Sequence, residues 1–211
     1  MSLFVTFEGG EGCGKSTQAR ALWRRLRQQN IPVILTHEPG GTALGYKIRR
    51  VLKGKEKSPV SSEAELLLFA ASRAQLVTEV IQPALREGKI VICDRFSYST
   101  LVYQGYGRGL NLPIVEMVNS LATQNLKPDI IILLDLLPEQ GLTRKRNLKD
   151  RFELEELSFH RRVREGYLRL AAADPDRWLV IDATLPKGKI SEIVWEKVNQ
   201  LLASPLSLRG A

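Results

Sequence analysis

Gly9-Gly10-Glu11-Gly12-Cys13-Gly14-Lys15-Ser16 reads G-x-x-x-x-G-K-S, the P-loop pattern. Its flanks decide whether the match means anything. Leu3-Phe4-Val5-Thr6-Phe7 before it is a run of strand formers. Thr17 to Leu26 after it has helical spacing, with apolar residues at 19, 22, 23 and 26. A strand, a glycine turn and a helix are what phosphate binding requires. The glycines let successive backbone N–H groups curl round a phosphate, and the helix N-terminus adds its positive end. Lys15 is placed to reach β- and γ-phosphates, and the Ser16 hydroxyl to ligate Mg²⁺. The bland alternative, a chance glycine-rich turn, does not account for both flanks.

Outward from this loop the chain alternates strand and helix patterns. Residues 33–36, 89–93, 129–134 and 178–181 read as further strands. Helices are expected at 43–53, 113–124, 153–173 and 190–203. A long helix is expected from about Glu63 to Glu87, capped by Ser61 or Ser62, ended by Gly88 and kinked or finished by Pro83. The expected fold is a single three-layer α/β domain over residues 1–211, with a five-stranded parallel sheet flanked by helices and a short lid at 144–151. The tail 204–211 is expected to fray. Ligands of such sheets bind at the carboxyl ends of the strands. The loop, Glu38-Pro39-Gly40-Gly41, Asp94-Arg95, Asp135 and Asp182-Ala183-Thr184 should therefore share one rim.

Composition narrows the partners. Of 211 residues, 44% are hydrophobic and 26% charged, an ordinary globular balance. No apolar run approaches the ~20 residues of a membrane span. Met1 runs straight into the first strand, leaving no room for a signal peptide. Two cysteines, Cys13 and Cys93, make no disulfide framework, so a reducing cytoplasm is the expected home. The net charge of +8 permits a nucleic acid but equally suits a small polyanion such as a nucleotide.

Several groups suit phosphoryl transfer, which needs charge neutralisation and alignment. Asp94, at a strand end, fits an indirect Mg²⁺ role or the acceptor-phosphate site; a helix cap is its bland alternative. Arg95 fits a clamp on an acceptor phosphate, since a guanidinium grips phosphate oxygens two at a time. Asp135 reads as a brace for the phosphate loop. Phe69 and Arg73 lie four apart on the long helix and share a face, a ring for stacking beside a fork of donors. Cys13 sits beside Lys15 and a helix N-terminus, both of which favour a thiolate; a small residue filling a loop slot is the simpler reading. His37 and His160, far apart in sequence, argue against histidine-led hydrolysis and against a His/Cys zinc site.

Phe7-Glu8-Gly9-Gly10-Glu11-Gly12-Cys13-Gly14-Lys15-Ser16-Thr17, Glu38-Pro39-Gly40-Gly41-Thr42, Leu68-Phe69-Ala70-Ala71-Ser72-Arg73-Ala74-Gln75, and Asp94-Arg95-Phe96 with Ser99-Thr100 and Tyr103-Gln104-Gly105 together resemble the bacterial thymidylate kinases. The resemblance runs from the first strand to the last helix. It implies transfer of the ATP γ-phosphate to dTMP with Mg²⁺, by a homodimer, with no nucleic acid or membrane involved. It implies an ATP site over Gly9 to Thr17 with Arg144 bordering adenine, and Ser16, with Asp94 acting through water, on the metal. For dTMP it implies Phe69 stacked on thymine, Arg73 bonded to the base, and Thr100 and Gln104 lining the pocket. It further implies Tyr103 beneath the deoxyribose, Glu11 facing the sugar hydroxyl, Arg95 on the phosphate and Pro39 bordering the site. Two departures are visible: Phe96 stands where relatives carry Tyr or His, and the lid is about two residues short.

The loop residues Gly10 to Cys13 include no base, so the charge facing the transferred group has to come from elsewhere. Arg144, Lys145, Arg146, Lys149 and Arg151 are the dense supply. Arg151 is the expected arginine finger because Asp150-Arg151 aligns with the Asp-Arg of the bacterial lid; Arg146 is second. The apolar helix 63–87 is the expected dimer surface. Two other activities remain open at this point: a kinase for another nucleoside monophosphate, and a nucleic-acid-linked P-loop ATPase.

Overall fold

The computed structural model describes residues 2–54, 60–144 and 151–203. Residues 145–150 of the expected lid and the tail from 204 lie outside them. Five strands, β1 (Leu3–Glu8), β2 (Val33–His37), β3 (Ile90–Asp94), β4 (Ile130–Asp135) and β5 (Trp178–Asp182), form one sheet in the order β2-β3-β1-β4-β5. Every pairing is parallel. The strand feeding the phosphate loop is therefore central, with β3 and β4 at its sides.

Alternation along β1 explains how both faces are covered. Leu3, Val5 and Phe7 enter a core with Leu22 and Leu26 of α1 (Lys15–Gln28) and Val194 and Val198 of α9 (Lys187–Ala203). Phe4 enters the opposite core with Leu76, Val77, Ile81 and Phe96. Thr6 and Glu8 follow Phe4 in the alternation and are wholly buried, so β1 delivers a carboxylate to that second face. That face is built by α3 (Ser62–Leu76), α4 (Gln82–Arg86), α5 (Ser97–Thr100), α6 (Leu112–Thr123) and α8 (Leu157–Ala173). The remaining helices are α2 (Ala43–Lys53), which follows β2, and α7 (Pro138–Arg144), which follows β4.

The long helix expected over 63–87 is interrupted. The Ser61 hydroxyl accepts from Ala64 N and starts α3, and a π-helical turn over Val77–Ile81 separates α3 from α4. Pro83 has no N–H for the regular ladder and its ring crowds the preceding turn; widening that turn lets the chain continue. A second π-helical stretch, Leu101–Gly107, extends α5. It carries Tyr103 and Gln104.

The phosphate loop is braced by backbone. Gly9 has φ +137° and lies so close to the Leu134 carbonyl that no side chain would fit. Gly12 has φ +68°, and a Cβ there would overlap the carbonyl oxygen of Gly141 in α7. The expectation that Asp135 holds the loop is corrected by these contacts. Asp135 faces α8, where Arg164 meets both carboxylate oxygens at 2.7 and 2.8 Å, the two-pronged geometry a guanidinium favours. A Cβ on Gly141 would in turn overlap the Glu11 carbonyl. Gly141→Ala should therefore push the loop off α7. Thermal unfolding should show a fall of about 2–8 °C, for about 1–2 kcal/mol.

Candidate active site

A cavity of about 590 Å³ opens above the carboxyl ends of β1, β2 and β3. Its walls include Glu11, Gly12, Lys15, Ser16 and Thr17 of the loop region, Asp94 and Arg95 after β3, and Arg144. Lys15 curls back, its ammonium 3.1 Å from Gly9 O, 2.6 Å from Gly10 O and 3.4 Å from Cys13 Sγ. The Ser16 hydroxyl donates to Asp94 Oδ2. Among the described residues no cluster of three or more His, Cys, Asp or Glu could hold a metal. One hydroxyl and one carboxylate still fit Mg²⁺, which keeps most of its waters and takes phosphate oxygens as further ligands. Arg144 bonds Ala183 O at 3.1 Å, which holds it at the cavity edge.

A second cavity adjoins the first. Pro39, Phe69, Ser99, Thr100, Tyr103, Gln104 and Phe152 line it, and Glu11, Glu38, Lys53 and Arg95 line both. Two chambers thus meet at two carboxylates and two cations. Thr100, Tyr103 and Gln104 arrive from one side of α5 and its π-helical extension. Thr100 Oγ1 is buried and has no hydrogen-bond partner among the described residues, a polar atom suited to a ligand group.

Arg95 sits at the junction with φ +73°. One Nη bonds Glu11 Oε1 at 2.6 Å and the Tyr103 hydroxyl at 3.1 Å; the other bonds Gly9 O at 3.1 Å and Ser99 Oγ at 3.2 Å. Behind it, Glu8 accepts from Phe96 N, Ser99 and Tyr167 at 2.6–2.8 Å. Burial raises the Glu8 carboxyl above its ordinary range, against the opposing pull of these bonds and of Arg95.

A family model described as thymidylate kinase matches residues 7–194. A thymidylate kinase of Dehalococcoides mccartyi is 53% identical over 206 residues, spanning 97% of this chain and all of that one. One from Trichlorobacter lovleyi is 47% identical over 212 residues, with 97% and 100% covered. The chain belongs to the thymidylate kinase family. Its activity is phosphorylation of dTMP to dTDP. The solved thymidylate kinase of Ehrlichia chaffeensis superposes with a TM-score of 0.74 at 35% identity, covering 95% of this chain and 98% of that one. The five-stranded parallel fold is common to both.

Within this family frame, most of the expected residues converge. Lys15, Ser16, Thr17, Asp94, Arg95 and Arg144 line the first cavity, and Pro39, Phe69, Thr100, Tyr103 and Gln104 the second. Arg73 lines neither. It is 1% exposed, with Nε and one Nη on Glu38 Oε2 at 2.8 and 2.6 Å and the other Nη on Asn119 at 2.6 Å. It meets the second cavity through Glu38. Arg151, expected over a bound nucleotide, lines neither cavity: its Nε bonds Leu52 O at 3.2 Å, and it lies 2.6 Å from Glu65. Glu65 is wholly buried and draws cations to itself, which places Arg151 beside α3. Cys13 is 2% exposed and its thiol donates to Gly10 O, as a small loop filler would.

The sequence reading missed Arg49 and Lys53, and it placed Glu38 on the rim without giving it a role. Arg49 and Lys53 line the first cavity from α2, four residues apart. That spacing, just after a capped helix start at Thr42, was the available signal.

Burial pushes the Glu38 carboxyl up to about 7, against the opposing pull of Arg73. A carboxyl pKa raised on folding stabilises most below about 4.5, and that contribution is lost as pH rises through about 7. The melting-temperature advantage of wild type over Glu38→Gln should therefore shrink between pH 5 and 8. An advantage that grows with pH would show that the ion pair with Arg73 outweighs burial.

Proposed function

We propose that the two joined chambers are the ATP and dTMP sites, and that the phosphoryl group crosses at Arg95. The observation that carries this reading is the shared wall of Glu11, Glu38, Lys53 and Arg95. ATP is a substrate and occupies the loop chamber. Lys15 moves from the Gly9 and Gly10 carbonyls to the β- and γ-phosphates, and the loop amides hold the oxygens that carry charge. Ser16, with Asp94 acting through water, would hold Mg²⁺, which when bound would neutralise phosphate oxygens.

dTMP occupies the second chamber. Phe69 stacks on thymine, Thr100 and Gln104 meet its polar edge, Tyr103 underlies the sugar, and Glu11 takes its hydroxyl. Arg95 holds the acceptor phosphate, with Arg49 and Lys53 adding charge from α2. Alignment of donor and acceptor oxygens, with charge neutralised on both, is the main requirement of this chemistry. The charge facing the transferred group comes from Lys15 and Arg95 in this arrangement.

We further infer that residues 1–211 act as one domain and that the enzyme works in the cytoplasm, as its two free, buried cysteines suit. Among the described residues no helix is long and apolar enough to cross a membrane. A homodimer is also proposed, but its surface moves. Helix α3 is packed between α2 and α6, so its apolar girth is largely covered inside the chain. What stays exposed is Leu67 of α3, at 59%, and Ile114, Met117 and Leu121 of α6, at 52, 65 and 82%. The α6 residues recur at helical spacing on one side, as a two-fold contact needs.

An ADP-release assay offering dTMP, dUMP, UMP, CMP, AMP and GMP should show dTMP preferred. Lys15→Ala should lower turnover with dTMP by about two to four orders of magnitude without loss of fold, since the ammonium meets charge that builds in the transition state. Turnover near wild type would remove the loop from the mechanism. For the dimer, light scattering at micromolar concentration should give twice the chain mass, and Leu121→Glu should give the single mass with an unchanged circular-dichroism spectrum. A monomeric wild type would refute the assembly.

A further inference from the structure

Gln104 is 1% exposed and lines the acceptor chamber, so its amide is a natural reader of the base. An amide has two ends, a donor and an acceptor, and which end faces the ligand decides what is read. Here a neighbour outside the chamber makes that choice. Glu65 on α3 lies behind Gln104, wholly buried, and its Oε1 accepts from Gln104 Nε2 at 2.7 Å. A carboxylate oxygen only accepts, so the partner has to be the NH₂ end. The carbonyl end accepts no hydrogen bond among the described residues.

Glu65 is itself held in place. Arg108 reaches both of its oxygens at 3.2 Å, and Arg151 closes on Oε2 at 2.6 Å. Arg108 is anchored further by Glu155 at 2.7 Å. Two guanidinium groups thus fix the carboxylate, and the carboxylate fixes the amide. Such a chain serves orientation more than stability, because burying charge costs desolvation that the pairing only offsets.

We propose that Glu65 is a positioning residue for base specificity: by holding the NH₂ of Gln104 it leaves the carbonyl for the base, so the chamber prefers a pyrimidine with a ring N–H at N3. Thymine has that donor. Cytosine has a lone pair at N3 and would face the Gln104 oxygen with a second acceptor. A polar site rejects the analogue that leaves its buried groups unmatched far better than an apolar wall does. The inference rests on placing the base in the second chamber.

5-Methyl-dCMP tests it, because it differs from dTMP only at the edge in question. In Glu65→Gln, side chain 65 offers both a donor and an acceptor, and the Gln104 amide can turn over. The ratio of kcat/KM for dTMP over 5-methyl-dCMP should fall at least about tenfold, with the loss in the acceptor KM and none in the KM for ATP. An unchanged ratio, or an equal fall for both acceptors, would overturn the proposal and leave Glu65 a structural residue. The variant removes the charge that two arginines share, so if it does not fold, wild type labelled with ¹⁵N-glutamine decides. With dTMP bound, the Gln104 NH₂ protons should show no nuclear Overhauser contact to thymine and should exchange as slowly as in the free enzyme. A contact from that NH₂ to the base would overturn the proposal. If dTMP leaves the Gln104 and Thr100 resonances where they were, the base placement falls and the proposal with it.

Discussion

Everything at the centre of the molecule depends on keeping one largely enclosed cation, the Arg95 guanidinium, satisfied. Its partners come from separate parts of the chain: Gly9 and Glu11 from the phosphate loop, and Ser99 and Tyr103 from α5 and its extension. Tyr167 of α8 reaches within 3.4 Å. A buried guanidinium has five donors in a fixed plane, and each unmet donor is expensive. The elements that surround Arg95 are therefore not free to drift independently. The loop that takes the donor nucleotide and the helix that lines the acceptor chamber are registered against the same side chain.

Glu8, Glu38 and Glu65 extend the same logic outward. None is more than 5% exposed, and each bonds a group that lines or borders a chamber. Glu8 holds Ser99 and Phe96 N beneath Arg95, Glu38 fixes Arg73, and Glu65 fixes Gln104. Apolar residues of equal volume would make a core at least as stable. They would leave the polar side chains of the site able to choose among rotamers. A phosphoryl-transfer site tolerates little of that freedom, since misalignment of about 1 Å can cost about a hundredfold in rate.

The fold was legible because its signals are local. Strand 3–7, the glycine turn and the helix from Lys15 are contiguous, and all five strands lie where hydrophobic runs put them. The π-helical turn at Val77–Ile81 was not legible, since Pro83 marks a disturbance without specifying its form. The chamber residues on motifs, such as Phe69, Thr100 and Gln104, were legible because the motif itself places them. Asp135 was misassigned because a carboxylate at a strand end points one way or the other according to what packs beside it. That neighbour, Arg164, is 29 residues away in the chain. The neighbour of Arg151 was out of reach for the same reason, since Glu65, against which it lies, belongs to a distant helix.

Buried carboxylates are the residues a linear reading undervalues. Glu65 sits in Ser-Glu-Ala-Glu-Leu-Leu-Leu, where its neighbour Glu63 is exposed, and nothing in the spelling separates the two. Helical geometry does. Glu65 is four residues before Phe69 and eight before Arg73, so all three lie along one stripe of α3. That stripe carries a ring that borders the acceptor chamber, an arginine held by Glu38, and a carboxylate that holds Gln104. A buried charge needs partners. Those of Glu65 are Arg108, Arg151 and the Gln104 amide, and only the last lines the acceptor chamber, so it is through Gln104 that this carboxylate bears on the site.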